Sequence, residues 1–134
     1  GLPEDSLARY PHQFSGGQRQ RLCIARSLML NPSVVVLDEA VSALDVSVQA
    51  QVLDLLVSLR ERLGLTMVFI THDLRIAAQL CDEIAVMKSG KIVEHGPAAD
   101  VFANPQHAYT RELMDAIPGH DWFLRKKRVS APAI

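Results

Sequence analysis

Apolar residues along the chain fall into short blocks set off by prolines, glycines and polar turn formers. Leu22, Ala25, Leu28 and Met29 recur at helical spacing, and the run stops before Asn31-Pro32, which predicts a helix to about Leu30. Val34-Val35-Val36-Leu37 is continuous and β-branched instead. It is bounded by Asn31-Pro32-Ser33 and reads as a fully buried parallel strand. Val48, Val52, Leu55, Leu56, Leu59 and Leu63 then share one helical face, with Asp45 or Ser47 as N-cap and Gly64 as the left-handed C-terminal residue. Leu65 to Ile70 is a second buried strand. Val34–Ile70 is therefore one β-α-β unit, with a right-handed crossover expected by rule.

Beyond this unit the blocks shorten. Asp73 can cap a helix through about Leu80, and Glu83–Lys88 and Lys91–His95 flank Ser89-Gly90 as a hairpin. Gly96-Pro97 is expected to break that hairpin. Ala98–Ala103 and His107–Ala116 read as two short helices separated by Asn104-Pro105. Upstream, Glu4–Tyr10 is a short helix candidate between Pro3 and Pro11. The fold class is α/β: parallel strands with flanking helices, followed by a hairpin and short helices.

Composition narrows the picture. A chain of 134 residues is about enough for one domain, and 49% hydrophobic with 22% charged residues argues for a packed core. The net charge of -1 gives no electrostatic reason to expect nucleic acid as a partner. Cys23 and Cys81 lie far apart, each in a helical apolar pattern, so both are expected as buried thiols in a reducing compartment. No stretch approaches the roughly 20 apolar residues of a membrane span, and no secretory signal opens the chain. There is no internal repeat and no low-complexity tract.

Two stretches carry candidate chemistry. Asp38 and Glu39 lie at the carboxyl end of a predicted parallel strand, where open α/β sheets place ligands. Neighbouring carboxylates there either cap the next turn or divide two tasks, one holding Mg²⁺ and the other accepting a proton from water. The second stretch is Phe14-Ser15-Gly16-Gly17-Gln18. Ser15 with Gln18 three residues on is a capping box. A cap leaves Gly16-Gly17 unexplained, since each costs about 1 kcal/mol inside a helix relative to Ala. Close approach of an anion to the bare helix end would explain them. His72, just past the second strand, is either structural or a third group at the same edge as the two acids.

In this order and spacing the motifs resemble those of ATP-binding-cassette (ABC) ATPases. Phe14 to Arg21 looks like their signature motif and Val34 to Glu39 like the Walker B strand. Ser42-Ala43-Leu44-Asp45 resembles the D-loop, and Ile70-Thr71-His72-Asp73 the switch-histidine segment. The stretches Asp45 to Gln51 and Asn104 to Leu113, with Ala116-Ile117-Pro118, resemble the importers of dipeptides, oligopeptides, nickel or related solutes. Ala40 stands where the family usually has Pro, and Phe14 where Leu is commoner. No G-x-x-x-x-G-K-[ST] loop occurs; Gly90-Lys91 is followed by Ile92. Nor does the chain carry the glutamine switch or the adenine-stacking aromatic, which precede the signature motif in the family. The resemblance spans the chain but only the C-terminal half of the family's P-loop NTPase (RecA-like) domain.

The resemblance implies the end of a helical subdomain at residues 1–14, the second half of the nucleotide-binding core at 15–96 and a peptide-importer extension at 97–134. It further implies that two ATPase subunits associate head to tail around ATP. Ser15, Gly16, Gly17 and Gln18, with Asp45 of the D-loop, then face a nucleotide held mainly by the partner's phosphate loop. On the chain's own side Asp38 serves Mg²⁺, Glu39 takes the proton of the attacking water, and His72 senses the γ-phosphate. The implied partners are a second ATPase subunit and transmembrane permease subunits, with the protein cytoplasmic and peripheral on the inner membrane face. The iron–sulfur centre of some branch members does not carry over, because no cysteine follows Cys81. A chromosome-associated ABC ATPase is disfavoured by the absence of zinc-type cysteines and coiled-coil heptads.

His95 is expected as an exposed surface residue rather than a ligand. Arg125-Lys126-Lys127-Arg128 reads as a solvated tail or a contact for anionic lipid. In the family the strand carrying the switch histidine pairs on its other side with the phosphate-loop strand, so the Leu65–Ile70 edge is expected to self-associate here. Phosphoryl transfer depends mostly on positioning and charge stabilisation. The purified 134-residue chain is therefore expected to bind ATP weakly and to show no turnover above buffer in a phosphate-release assay; magnesium-dependent turnover would refute this.

Overall fold

The computed structural model describes residue 6 and residues 8–117, which divide into two compact units at His72 and Asp73. The first unit contains α1 (Gly16–Leu28), β1 (Val34–Asp38), α2 (Val46–Leu63) and β2 (Thr66–Ile70). β1 and β2 pair in parallel with Val34 opposite Thr66 and Asp38 opposite Ile70, so both strands end at the same edge. The β-α-β unit and its parallel pairing are as the sequence predicts.

The strands are not fully buried, however. Val35 and Leu37 are 8% and 6% exposed, whereas Val34 and Val36 are 51% and 62% exposed. Successive side chains of a strand point to opposite faces, and among the described residues only one face is covered. Leu65 is buried, but β2 begins one residue later, and its outward residues Thr66, Val68 and Ile70 are exposed. A continuous apolar run thus marks strand residues without saying how many faces are packed.

The helices of this unit show a similar shift. α1 is started by Ser15 and stopped by Asn31, which takes a left-handed φ of 48° and donates its N–H to the Leu28 carbonyl. Its buried face carries Gly17 and Ile24, while Leu22, Ala25 and Met29 of the expected stripe are exposed. Cys23 is exposed and Cys81 only half buried, contrary to the expectation of two buried thiols. α2 follows the prediction more closely. Asp45 caps it and Val52, Leu53 and Leu56 are buried, although Leu63 is not. Gly64 ends it at φ 63°, its N–H and that of Leu65 both returning to the Arg60 carbonyl.

The second unit contains α3 (Leu74–Leu80), β3 (Glu83–Lys88), β4 (Lys91–Pro97), α4 (Ala98–Ala103) and α5 (Ala108–Asp115). Asp73 caps α3 through the Arg75 amide, as expected. β3 and β4 form the hairpin, turning through Ser89 and Gly90 at φ 49° and 76°. Two left-handed residues in a two-residue loop match the right-handed twist of the strands. An irregularity between Val86 and Met87 shifts the register. Gly96-Pro97 does not break the hairpin: β4 continues to Pro97, which lies opposite Glu83 at the last rung. Proline is tolerated at such an end, where no further ladder N–H is required.

Glu94 ties the hairpin to the start of α5. Its carboxylate accepts the amides of Gln106 at 2.8 Å and His107 at 3.1 Å. Partial burial pushes this carboxyl up, but those amides, with Thr110 and His107, outweigh it and leave it below its ordinary 4.5. Thr110 is fully buried beside this carboxylate. Lys88 lies 4.2 Å from the Tyr109 ring centroid, a second tie between hairpin and helix. His95 is exposed, as expected, and its Nε2 lies 3.2 Å from Glu83 Oε2.

Residues 4, 5 and 7 of the Glu4–Tyr10 helix candidate and the whole Arg125–Arg128 run fall outside the described residues, while Arg9 and Tyr10 are not helical. Within the described part, Pro11–Gln13 forms a single 3-10 turn. Substitution of Gly64 tests the α2 stop in isolation, because an added Cβ would meet nothing within 4 Å. Gly64→Ala is expected to cost about 1 kcal/mol from the left-handed backbone alone. Urea unfolding checks this, and an unchanged midpoint would mean that the cap can be rebuilt without strain.

Candidate functional site

The predicted site residues all lie in the first unit, at or beside the ends of its elements. Asp38 closes β1 and is exposed. Glu39 follows with φ 46°, a left-handed conformation uncommon for a residue with a Cβ. Three contacts hold it there. Its N–H donates to the Ile70 carbonyl at 2.9 Å, and its carbonyl accepts the Ser42 N–H at 3.1 Å and the Ser42 hydroxyl at 3.0 Å.

The turn brings the Glu39 carboxylate to the end of the neighbouring strand. Glu39 Oε1 lies 3.0 Å from His72 Nδ1, with the two side chains 55% and 73% exposed. An ionised carboxylate only accepts hydrogen bonds, so in this pair Nδ1 carries the proton. Nε2 is left to meet another group, as an acceptor in the neutral ring and a donor in the charged one. Such an exposed pair contributes little to stability. Its interest is chemical: a proton acceptor and an imidazole held together on one strand edge.

The glycine loop opens α1. Ser15 is the N-cap of α1, its hydroxyl accepting the Gln18 N–H at 3.3 Å while Gln18 Oε1 accepts the Ser15 N–H at 3.0 Å. The capping box is therefore real. Gly16 and Gly17 are the first two helical residues, whose N–H groups have no carbonyl one turn back to bond. Ser15 and Gly16 are exposed, but Gly17 is buried. A Cβ on Gly17 would overlap the Cγ1 methyl of Val48 in α2, and one on Gly16 would lie 3.3 Å from Leu44 Cδ2. Close packing of two helix starts thus accounts for Gly17 without an anion. The backbone N–H groups of Gly16 and Gly17 stay at the start of the helix, where an anion could meet them.

Asp45 occupies the matching place on α2. Its Oδ1 accepts the Val48 N–H at 2.9 Å and the Ser47 hydroxyl at 2.8 Å. The Val48 amide and then the Ser47 hydroxyl hold its carboxyl below the ordinary 3.8. Arg21 donates to Gln51 Oε1 at 2.9 Å, a further link between α1 and α2. Among the described residues no three His, Cys, Asp or Glu side chains form a metal-holding group. Mg²⁺ usually needs only one or two carboxylates beside phosphate oxygens and water, which the exposed Asp38 can supply.

The structure therefore brings Glu39 and His72 together and sets the loops of residues 15–18 and 44–48 side by side. Two contributors escaped the sequence reading as site-building residues. Ser42, within the D-loop resemblance, holds the Glu39 carbonyl; Val48 fills the space that the missing Gly17 side chain leaves. Ser42 stands three residues after Glu39, a local turn spacing that could have signalled its role. The Val48 contact joins distant positions and left no local trace.

Residues 1–42 match the ABC transporter family, and residues 93–132 the C-terminal region of oligopeptide/dipeptide transporters. The chain is thus similar to ABC transporter ATP-binding proteins and, over its C-terminal part, to those of peptide importers. It is 55% identical over 127 residues to a glutathione import ATP-binding protein of Pectobacterium atrosepticum, covering 95% of this chain and 20% of that protein. It is 54% identical over 127 residues to a putative peptide import ATP-binding protein of Brucella ovis, covering 95% and 40% respectively. A dipeptide transport ATP-binding protein of Haemophilus influenzae is 54% identical over 129 residues, covering 96% and 39%. The chain thus spans between a fifth and two fifths of the length of these relatives. The ABC family accounts for the α/β fold, and the C-terminal match for the peptide-importer resemblance. Among the described residues no helix is long and apolar enough to cross a membrane.

The Asp45 cap gives a pH-dependent test. Its folded-state pKa is depressed, so its stabilisation is present above the ordinary 3.8 and is lost as pH falls through the folded value. Asp45→Ala is expected to lower the thermal midpoint at neutral pH and to flatten its fall on acidification. Asp45→Asn keeps an N-cap acceptor and should retain most of the neutral-pH midpoint while losing the same pH dependence. Identical pH profiles for wild type and both variants would show that the cap contributes nothing.

Proposed function

We propose that this chain is the C-terminal part of the ATP-hydrolysing, energy-coupling subunit of an ABC importer for peptides or related solutes. The observation that carries the proposal is the Glu39–His72 contact at the carboxyl edge of a parallel strand pair. In this reading Glu39 accepts the proton of the water that attacks the γ-phosphate, and the ring of His72 senses that phosphate. Asp38 is the candidate ligand for Mg²⁺, which would supply charge neutralisation at the phosphates. Ser15, Gly16, Gly17, Gln18 and Asp45 face the nucleotide of a second ATPase subunit packed head to tail, and the bare Gly17 also lets the two loops approach. Permease subunits in the membrane are the remaining partners, which puts the protein at the cytoplasmic face as a peripheral subunit.

A chimera tests the catalytic reading. The matching segment of the Haemophilus influenzae relative is replaced by this chain, and Mg²⁺-dependent ATP hydrolysis is measured. The chimera is expected to hydrolyse ATP, and Glu39→Gln to reduce kcat by about 10²- to 10⁴-fold with ATP binding retained. Equal kcat for the two would remove Glu39 from its role.

A second reading makes the chain a non-catalytic module that binds a permease or a full-length ATPase. In that reading no residue of the chain acts on ATP, so a chimera that binds ATP without hydrolysing it would favour it. On either reading the β2 edge and its exposed Val68 and Ile70 favour self-association of the isolated chain. Sedimentation is expected to give a mass above the monomer's 14.8 kDa; a monomer at high concentration would rule out that association.

A further inference from the structure

We propose that Val48 is a positioning residue that locks the loop of residues 15–18 against the turn that carries Asp45. The functional meaning of that lock rests on the phosphate-facing reading of the loop; the lock itself is steric. Val48 is the third residue of α2, and its N–H is tied to Asp45 Oδ1 at 2.9 Å. A β-branched side chain in a helix has one strongly preferred rotamer, so Cγ1 cannot easily swing aside. Against it lies Gly17, the second residue of α1, buried and without a side chain.

One methyl group decides the fit. A Cβ at position 17 would overlap Val48 Cγ1, yet it would stand 3.8 Å from Val48 Cβ, an ordinary van der Waals contact. Leu44 presses on Gly16 in the same way at 3.3 Å from its virtual Cβ. The first turns of α1 and α2, each closed by its own capping side chain, therefore seat directly on each other. The Arg21–Gln51 hydrogen bond ties the same two helices further along α1. A group that docks on Ser15 and Gly16 thus pushes on the same rigid body that bears Asp45.

The test is a double-mutant cycle on the full chain with Gly17→Ala, Val48→Ala and both together. Thermal midpoints are read with amide hydrogen exchange at Gln18, which donates to Ser15, and at Val48, which donates to Asp45. Gly17→Ala alone is expected to lower the midpoint by on the order of 5 °C and to speed exchange at both amides. On the Val48→Ala background the sign reverses. The double variant should melt above Val48→Ala, because Ala is the better helix former once the methyl is gone.

A Gly17→Ala cost equal on both backgrounds would overturn the proposal, as would faster exchange confined to Gln18. If Gly17→Ala does not fold, the double variant against Val48→Ala decides alone: a lower midpoint for the double refutes the lock. No nucleotide enters these measurements, so they fail or succeed independently of the phosphate reading.

Discussion

The candidate site is anchored by a backbone hydrogen bond from the Glu39 amide to the Ile70 carbonyl. It extends the parallel register of β1 and β2 by one step past Asp38 and binds the two strand ends together. Without that tether the chain leaving β1 would be free to turn away. With it, and with Ser42 holding the following carbonyl, Glu39 is kept in a left-handed turn. That conformation costs an L residue free energy that the surrounding bonds must offset. Its consequence is that the carboxylate meets the imidazole of a residue 33 positions away.

Gly17 shows how one residue can carry two readings that only geometry separates. A glycine pair at a helix start is what an anion site requires, and equally what two helix ends in close contact require. The buried position of Gly17 beneath Val48 meets the second requirement without removing the first. The exposed Ser15 and Gly16 remain compatible with the first. The loop is therefore a packed joint with an open rim.

Within the first unit packing is one-sided. Val34, Val36, Val68 and Ile70 form the uncovered face of the β1–β2 pair, on register rows that run to the Asp38–Ile70 end. The second unit is bound together more by polar ties. Glu94 gathers the amides that open α5, and the Ala98 amide returns to the Asp82 carbonyl where α4 leaves the hairpin.

Local chemistry was legible in the sequence wherever one or two neighbouring residues set the outcome. Ser15 and Gln18 as a capping box, Asp45 and Asp73 as caps, Gly64 as a left-handed stop and Ser89-Gly90 as a turn all act within a few bonds of themselves. The order of the elements and the parallel pairing followed from them, and the motif spacing pointed to the family. What required the tertiary structure was every property that a distant segment imposes. Burial of Val35 but not Val36, the face that α1 turns inward and the exposure of Cys23 depend on what packs opposite. So do the reason for Gly17 and the meeting of Glu39 with His72. A helix cap closes on its own turn, whereas a buried face exists only when another part of the chain excludes water from it.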